Sequence, residues 1–104
     1  MESNSSNALN ACTRLIDGGR TEFYFWRAQI YFTNGDYDRA IEDLSAFIRL
    51  NPNWSALPYY KRGSAYKKKG ELDKALTDFR EALNKGNTTG SEDIKRVERA
   101  IRSK

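Results

Sequence analysis

Apolar residues recur along this chain at three- and four-residue steps, the spacing that gathers side chains on one face of an α-helix. One such stripe runs through Tyr37, Ala40, Ile41, Leu44, Phe47 and Ile48, and another through Leu72, Ala75, Leu76, Phe79 and Leu83. A helical stretch and a polar turn precede each. Glu22 to Thr33 is apolar over most of its circumference and ends at Asn34-Gly35-Asp36; the stretch after Ser55 ends at Lys69-Gly70-Glu71. Such glycine-centred turns break helices. Asn51-Pro52 stops the first stripe, because proline has no amide to continue the ladder and pushes its predecessor out of the helical region. Ser55 is expected to cap the next helix, where Pro58 is tolerated in a first turn whose amides lack acceptors. Two flanking helices complete the pattern. Asn7 to Asp17 presents Ala8, Leu9, Cys12, Leu15 and Ile16 before a Gly18-Gly19 stop. Ser91 is expected to cap a last helix with Glu92 and Asp93 in its first turn and Ile94, Val97, Ala100 and Ile101 inward. The pattern predicts an all-α chain of about six helices without a strand.

The two hairpins repeat. A constant shift of 35 pairs Tyr24 with Tyr59, Arg27 with Arg62, Ala28 with Gly63 and Tyr31 with Tyr66, and then Gly35 with Gly70, Ala40 with Ala75 and Leu44 with Phe79. Seven ordered correspondences without a gap mark a structural repeat. A single unit of this kind cannot bury its own apolar face, so neighbours must stack.

These residues resemble the tetratricopeptide repeat, whose pattern is W-x2-L-G-x2-Y, then A-x3-F, then P, on a unit of about 34 residues. The first copy reads Tyr24-x2-Arg27-Ala28-x2-Tyr31, Ala40-x3-Leu44, Pro52; the second reads Tyr59-x2-Arg62-Gly63-x2-Tyr66, Ala75-x3-Phe79, with Asn87 where proline would fall. The resemblance covers residues 21–87. It implies one domain made of an N-terminal capping helix (1–20), repeat 1 (21–54), repeat 2 (55–88) and a C-terminal capping helix (89–104). It also implies a right-handed superhelix of stacked antiparallel helix pairs. Ala28, Gly63, Ala40 and Ala75 would sit where helices cross, with Tyr31 and Tyr66 filling the space beside them. Two departures stand out. One residue is inserted, at the Asn53-Trp54-Ser55 connection, and arginine replaces the family leucine at Arg27 and Arg62. An arginine there suggests a stem that packs and a head that reaches water. Stretches such as DYDRAIEDLSAFIRLNPN are similar to bacterial members of the family.

Composition narrows the chemistry. With 104 residues the chain suffices for one compact domain and excludes an enzyme with a cleft between two domains. It has no histidine, which removes histidine bases, Ser-His and Cys-His pairs and most zinc sites. Its one cysteine cannot form an internal disulfide. Cys12 reads as a small packing residue; a phosphatase-like nucleophile would need an arginine six residues on, where Gly18 stands. No phosphate-cradling loop or calcium-spaced loop is present, and Asp36, Asp38, Glu42 and Asp43 read as first-turn acids. No cofactor or metal is expected. The N-terminus has no basic, apolar leader pattern and no segment approaches the ~20 apolar residues of a membrane span. The expected location is therefore cytoplasmic, or periplasmic had a leader been removed.

Charge is uneven: the net +4 arises from zero over residues 1–20, −2 over 21–54 and +6 over 55–104. Acids interleave with many of the bases, and Glu81/Lys85, Glu92/Arg96 and Glu98/Arg102 stand at helix-supporting spacing. In the family, the first helix of each repeat lines a concave groove that takes an extended peptide or a partner helix. Carried over, the resemblance implies that Glu22, Phe25, Trp26, Gln29 and Phe32 line it from repeat 1, Tyr60, Lys61, Ser64, Lys67 and Lys68 from repeat 2, and Lys95 from the last helix. Aromatic area at one end and lysines at the other suit a partner with apolar and acidic parts. The chaperone-tail clamp of some members is not expected, since Phe25, Gln29 and Lys61 stand where that pattern has lysine and asparagines. The reading is a non-catalytic protein-interaction module. The alternatives are a homo-oligomeric scaffold assembled through exposed aromatics and, below it, nucleic-acid binding by the basic half, which no recognised module accompanies.

Overall fold

The structure is a computed structural model that describes residues 2–88 and 90–103, with side chains from Ser5 onward. Six helices and no strand are found among the described residues: α1 (Glu2–Asp17), α2 (Phe23–Thr33), α3 (Tyr37–Leu50), α4 (Leu57–Lys69), α5 (Leu72–Asn84) and α6 (Gly90–Arg102). The all-α architecture of helix pairs follows the hydrophobic periodicity. The chain divides into two compact units, Met1–Pro52 and Asn53–Lys104.

In the first unit α2 and α3 form a hairpin and α1 lies against α2. Gly35 takes a φ of 83° at the turn, where only glycine is unstrained. Asp36 then caps α3 by accepting the Arg39 backbone N–H at 3.2 Å. Phe25, Ala28, Leu44 and Phe47 make the core of this unit. Cys12 is buried as expected of a packing residue, and burial pushes its thiol pKa up, so it is a protonated, poor nucleophile at neutral pH.

The second unit repeats the hairpin with α4 and α5 and adds α6 on α5. Ala75, Phe79 and Val97 form its core, with Tyr60, Tyr66, Ile94 and Ile101 packed around them. Two expected caps are displaced. The α4 N-cap position is Ala56, while Ser55 accepts the Leu57 N–H at 3.2 Å from one residue further out. α6 starts at Gly90, so Ser91 lies inside its first turn and donates its backbone N–H to the Thr88 carbonyl at 3.1 Å. Ala100 faces solvent rather than the core. The acids of α6 also reach partners other than the arginines four residues on: Glu92 lies 3.8 Å from Lys95, and Glu98 lies 2.9 Å from Arg80 on α5.

The helix crossings differ between the units in a compensated way. A methyl group at Gly63 would lie 2.9 Å from two ring carbons of Phe79 and 3.3 Å from the Ala75 carbonyl oxygen. Where the first unit has the smaller Leu44, it carries Ala28 instead of glycine. A larger side chain on the second helix is matched by a smaller one on the first.

Arg27 and Arg62 are partly exposed, with side chains 19% and 21% accessible, and each head is also gripped by a carboxylate that the spacing did not announce. Arg62 donates from Nε to Asp78 Oδ2 at 2.7 Å and from Nη2 to Oδ1 at 2.8 Å, a bidentate pair. Arg27 grips Asp43 the same way at 2.8 Å for both bonds and also donates to Thr13 Oγ1 on α1 at 3.0 Å. Asp43 and Asp78 are each only 4% exposed, so Asp43 is a buried partner and not a first-turn acid. These carboxylates hold both guanidinium pKa values above their ordinary level. For the buried part of each head the carboxylate supplies what water would have supplied.

Candidate functional site

α4 is positioned by Gly63, which with no side chain lets it lie close to Phe79 and Ala75 of α5, and by the Gly70 left-handed cap that ends it. Residues 61, 64 and 68 are three and four apart, so Lys61, Ser64 and Lys68 share one helical face. Lys68 is exposed and Lys61 and Ser64 are half-buried. No carboxylate among the described residues pairs with Lys61 or Lys68, whereas Lys69 lies 3.5 Å from Glu71 and Lys95, on α6, 3.8 Å from Glu92.

Tyr60 and Lys67 lie on the adjacent stripe and converge on a residue absent from the sequence-based set. The Tyr60 hydroxyl donates to Asp93 Oδ2 at 2.7 Å, and Lys67 Nζ lies 3.6 Å from Asp93 Oδ1. The Tyr60 ring stands edge-on to Phe79 with 5.5 Å between centroids. Its hydroxyl pKa is pushed up, first by the hydrogen bond to Asp93 and then by burial. Tyr60 is thus a strut between α4 and α6. Asp93 read as a first-turn acid; its distance of 33 residues from Tyr60 hid the contact. One signal was available. Extending the shift of 35 puts Ile94, Val97 and Ile101 opposite Tyr59, Arg62 and Tyr66, so α6 presents packing positions in register with α4.

On α2 the expected residues separate. Phe25 is a core residue, 9% exposed, with its ring 5.6 Å from Phe47, and this removes it from the docking set. Trp26, 56% exposed, stands edge-on to Phe25 at 5.7 Å and faces solvent. Gln29 lines a shallow depression of about 210 Å³ with Ser5, Ile30, Thr33 and Asn34. Phe32 is half-buried and stacks edge-on against Tyr37 across the turn at 5.2 Å. Glu22 pairs with Arg20 at 2.9 Å; its own backbone amide and then Arg20 lower its carboxyl pKa. In the first unit α2 carries the exposed Trp26, and in the second α4 carries Lys61 and Lys68 without carboxylate partners among the described residues; no group of three metal-binding side chains is found among them.

The antiparallel helix pairs with small residues at their crossings define a helical-repeat protein of the hairpin type. The tetratricopeptide repeat model matches residues 21–54 and 56–87, and the chain belongs to the tetratricopeptide repeat family. A relative from Schizosaccharomyces pombe, a DnaJ homolog subfamily C member 7 homolog, is 40% identical over 81 residues. That match covers 74% of this chain and 17% of the relative, so the chain spans a small part of that protein's length. Two solved domains share the fold. The second TPR domain of human RPAP3, determined with the HSP70 peptide SGPTIEEVD, is 25% identical with a TM-score of 0.81 over 93% of this chain and 83% of that one. The first TPR of Spaghetti (RPAP3), bound to the HSP90 peptide SRMEEVD, is 20% identical with a TM-score of 0.85 over 97% of this chain and 82% of that one. No helix among the described residues is long and apolar enough to cross a membrane.

Proposed function

We propose that this chain is a non-catalytic protein-interaction module that binds an extended acidic segment of a partner protein along the first-helix faces of its repeats. The observation that carries this reading is the α4 face, where Lys61 and Lys68 flank Ser64 without carboxylate partners among the described residues. Folding alone does not call for unpaired cations in one row, whereas anionic side chains of a ligand would be drawn to them. Trp26 adds an aromatic contact on α2, the residue type that carries much of the energy in peptide interfaces. Family membership and the peptide bound by the second TPR domain of human RPAP3 support the same class of ligand. The lone buried thiol of Cys12 suits a reducing compartment, which we take to be the cytoplasm.

Recognition here rests on side-chain charge rather than on a free terminal carboxylate. Phe25 is in the core, Gln29 lines the depression beside α1 and Lys61 replaces an amide, so the donor set that clamps a carboxylate terminus in other members is altered at each of these positions. Fluorescently labelled SGPTIEEVD is the test ligand, titrated by anisotropy. The expected result is binding that weakens with salt, changes by less than about twofold when the peptide is C-terminally amidated, and falls at least about tenfold in K61E/K68E. Unchanged affinity in that variant, or no binding by the unaltered chain, would overturn the proposal.

A further inference from the structure

We infer that the Asp93 carboxylate is a built-in competitor for acidic ligands, holding Lys67 in an internal ion pair and thereby setting how strongly the α4 face binds them. This rests on the reading proposed above and assigns the regulation of the same surface. The carboxylate is fixed from below: one oxygen accepts the Tyr60 hydroxyl at 2.7 Å, and the Tyr60 ring is braced against the fully buried Phe79. Its other oxygen is left for Lys67, at 3.6 Å. That distance is an ion pair without a tight hydrogen bond, which a ligand carboxylate can exchange. Asp93 is itself only 14% exposed at the side chain, so it stays in place while the Lys67 side chain, at 36%, is reachable.

The three lysines of this surface are therefore not equal. Lys61 and Lys68 attract a ligand without a rival, while Lys67 must first leave Asp93. Neighbouring charges do not cancel this effect. Lys69 is engaged by Glu71 and Lys95 by Glu92, and the positive field of Arg96 is felt at the Tyr60 hydroxyl. Removing the Asp93 charge would free Lys67 and leave Tyr60 an acceptor, since asparagine keeps one side-chain oxygen.

The full chain is titrated with labelled SGPTIEEVD, with circular-dichroism melts confirming that each variant is folded. Asp93→Asn is expected to tighten binding about fivefold, the value of one unit charge near 4 Å in water. Lys67→Met alone leaves the Asp93 charge uncompensated and is expected to weaken binding about fivefold, and in the D93N background to abolish the fivefold gain. A merely structural Asp93 would show no such dependence on Lys67. Unchanged or weaker binding by D93N, with the unaltered chain still binding and K61E/K68E still losing it, overturns the inference and leaves the binding surface intact. Unchanged or tighter binding by K67M overturns it too, even if D93N does not fold. Binding by D93N where the unaltered chain shows none supports it; no binding by either removes both proposals.

Discussion

Asp78→Ala is expected to lower the free energy of unfolding by about 2 kcal/mol, because it takes from the part-buried Arg62 guanidinium the carboxylate that grips it by two charge-assisted bonds. Arg62 makes both of its bidentate bonds to this one carboxylate, and Asp78 is 4% exposed. The loss is thus two charge-assisted bonds to a buried carboxylate. The corresponding Asp43→Ala change should be destabilising in the same way, with the bond from Arg27 to Thr13 on α1 retained. Replacing the whole pair, as in Arg62→Met with Asp78→Leu, should be much milder than Asp78→Ala, because then no charge is left buried. Urea denaturation followed by circular dichroism measures all three. A cost below about 1 kcal/mol for Asp78→Ala would mean that the pair behaves as an exposed salt bridge.

Gly63→Ala is a contest between two terms of opposite sign. Alanine is favoured over glycine inside a helix by about 1 kcal/mol. Against that stands the Phe79 ring, 2.9 Å from the new methyl group and fully buried, with the Ala75 carbonyl at 3.3 Å preventing a sideways escape. Overpacking of this kind costs about 1–3 kcal/mol, so the net change should be a destabilisation of about 1 kcal/mol. Phe79→Leu recreates the pairing of Ala28 with Leu44 found in the first unit. In that background Gly63→Ala should become stabilising by about 1 kcal/mol, giving a coupling of about 2 kcal/mol in the double-mutant cycle. Additivity of the two changes would show that the ring moves aside freely.

The helices and turns were legible because local chemistry alone determines them. Gly35 and Gly70 sit at turns with φ values of 83°, and the stripes through Leu44 and Phe79 face their cores. Residues whose environment depends on distant chain were misjudged. Arg27 and Arg62 are partly exposed as expected, but the carboxylates that grip them lie sixteen positions away, although the same shift of 35 pairs Asp43 with Asp78 and could have revealed them. Phe25 was ambiguous because α2 is apolar around most of its circumference, and only the position of Phe47 decides which aromatic turns inward. Ser55 and Ser91 have the right chemistry for caps, but α4 starts one residue later than Ser55 implies and α6 begins at Gly90.

The candidate surface divides in the same manner. Lys61, Ser64 and Lys68 follow from helical spacing once α4 is recognised. Tyr60 and Lys67 share that neighbourhood, yet their engagement with Asp93 arises only because α6 folds back onto the hairpin. A cation in the sequence is available to a ligand only if no internal carboxylate has already taken it. That distinction requires the fold.

The most direct measurement is an amide correlation spectrum of the full chain recorded during titration with SGPTIEEVD. Binding along the first helices predicts the largest shifts at Lys61, Ser64 and Lys68 on α4, with smaller ones at Trp26 and Lys95. Shifts confined to exposed residues of the second helices, such as Arg49 on α3 and Lys74 on α5, would contradict it, as would a spectrum that does not change.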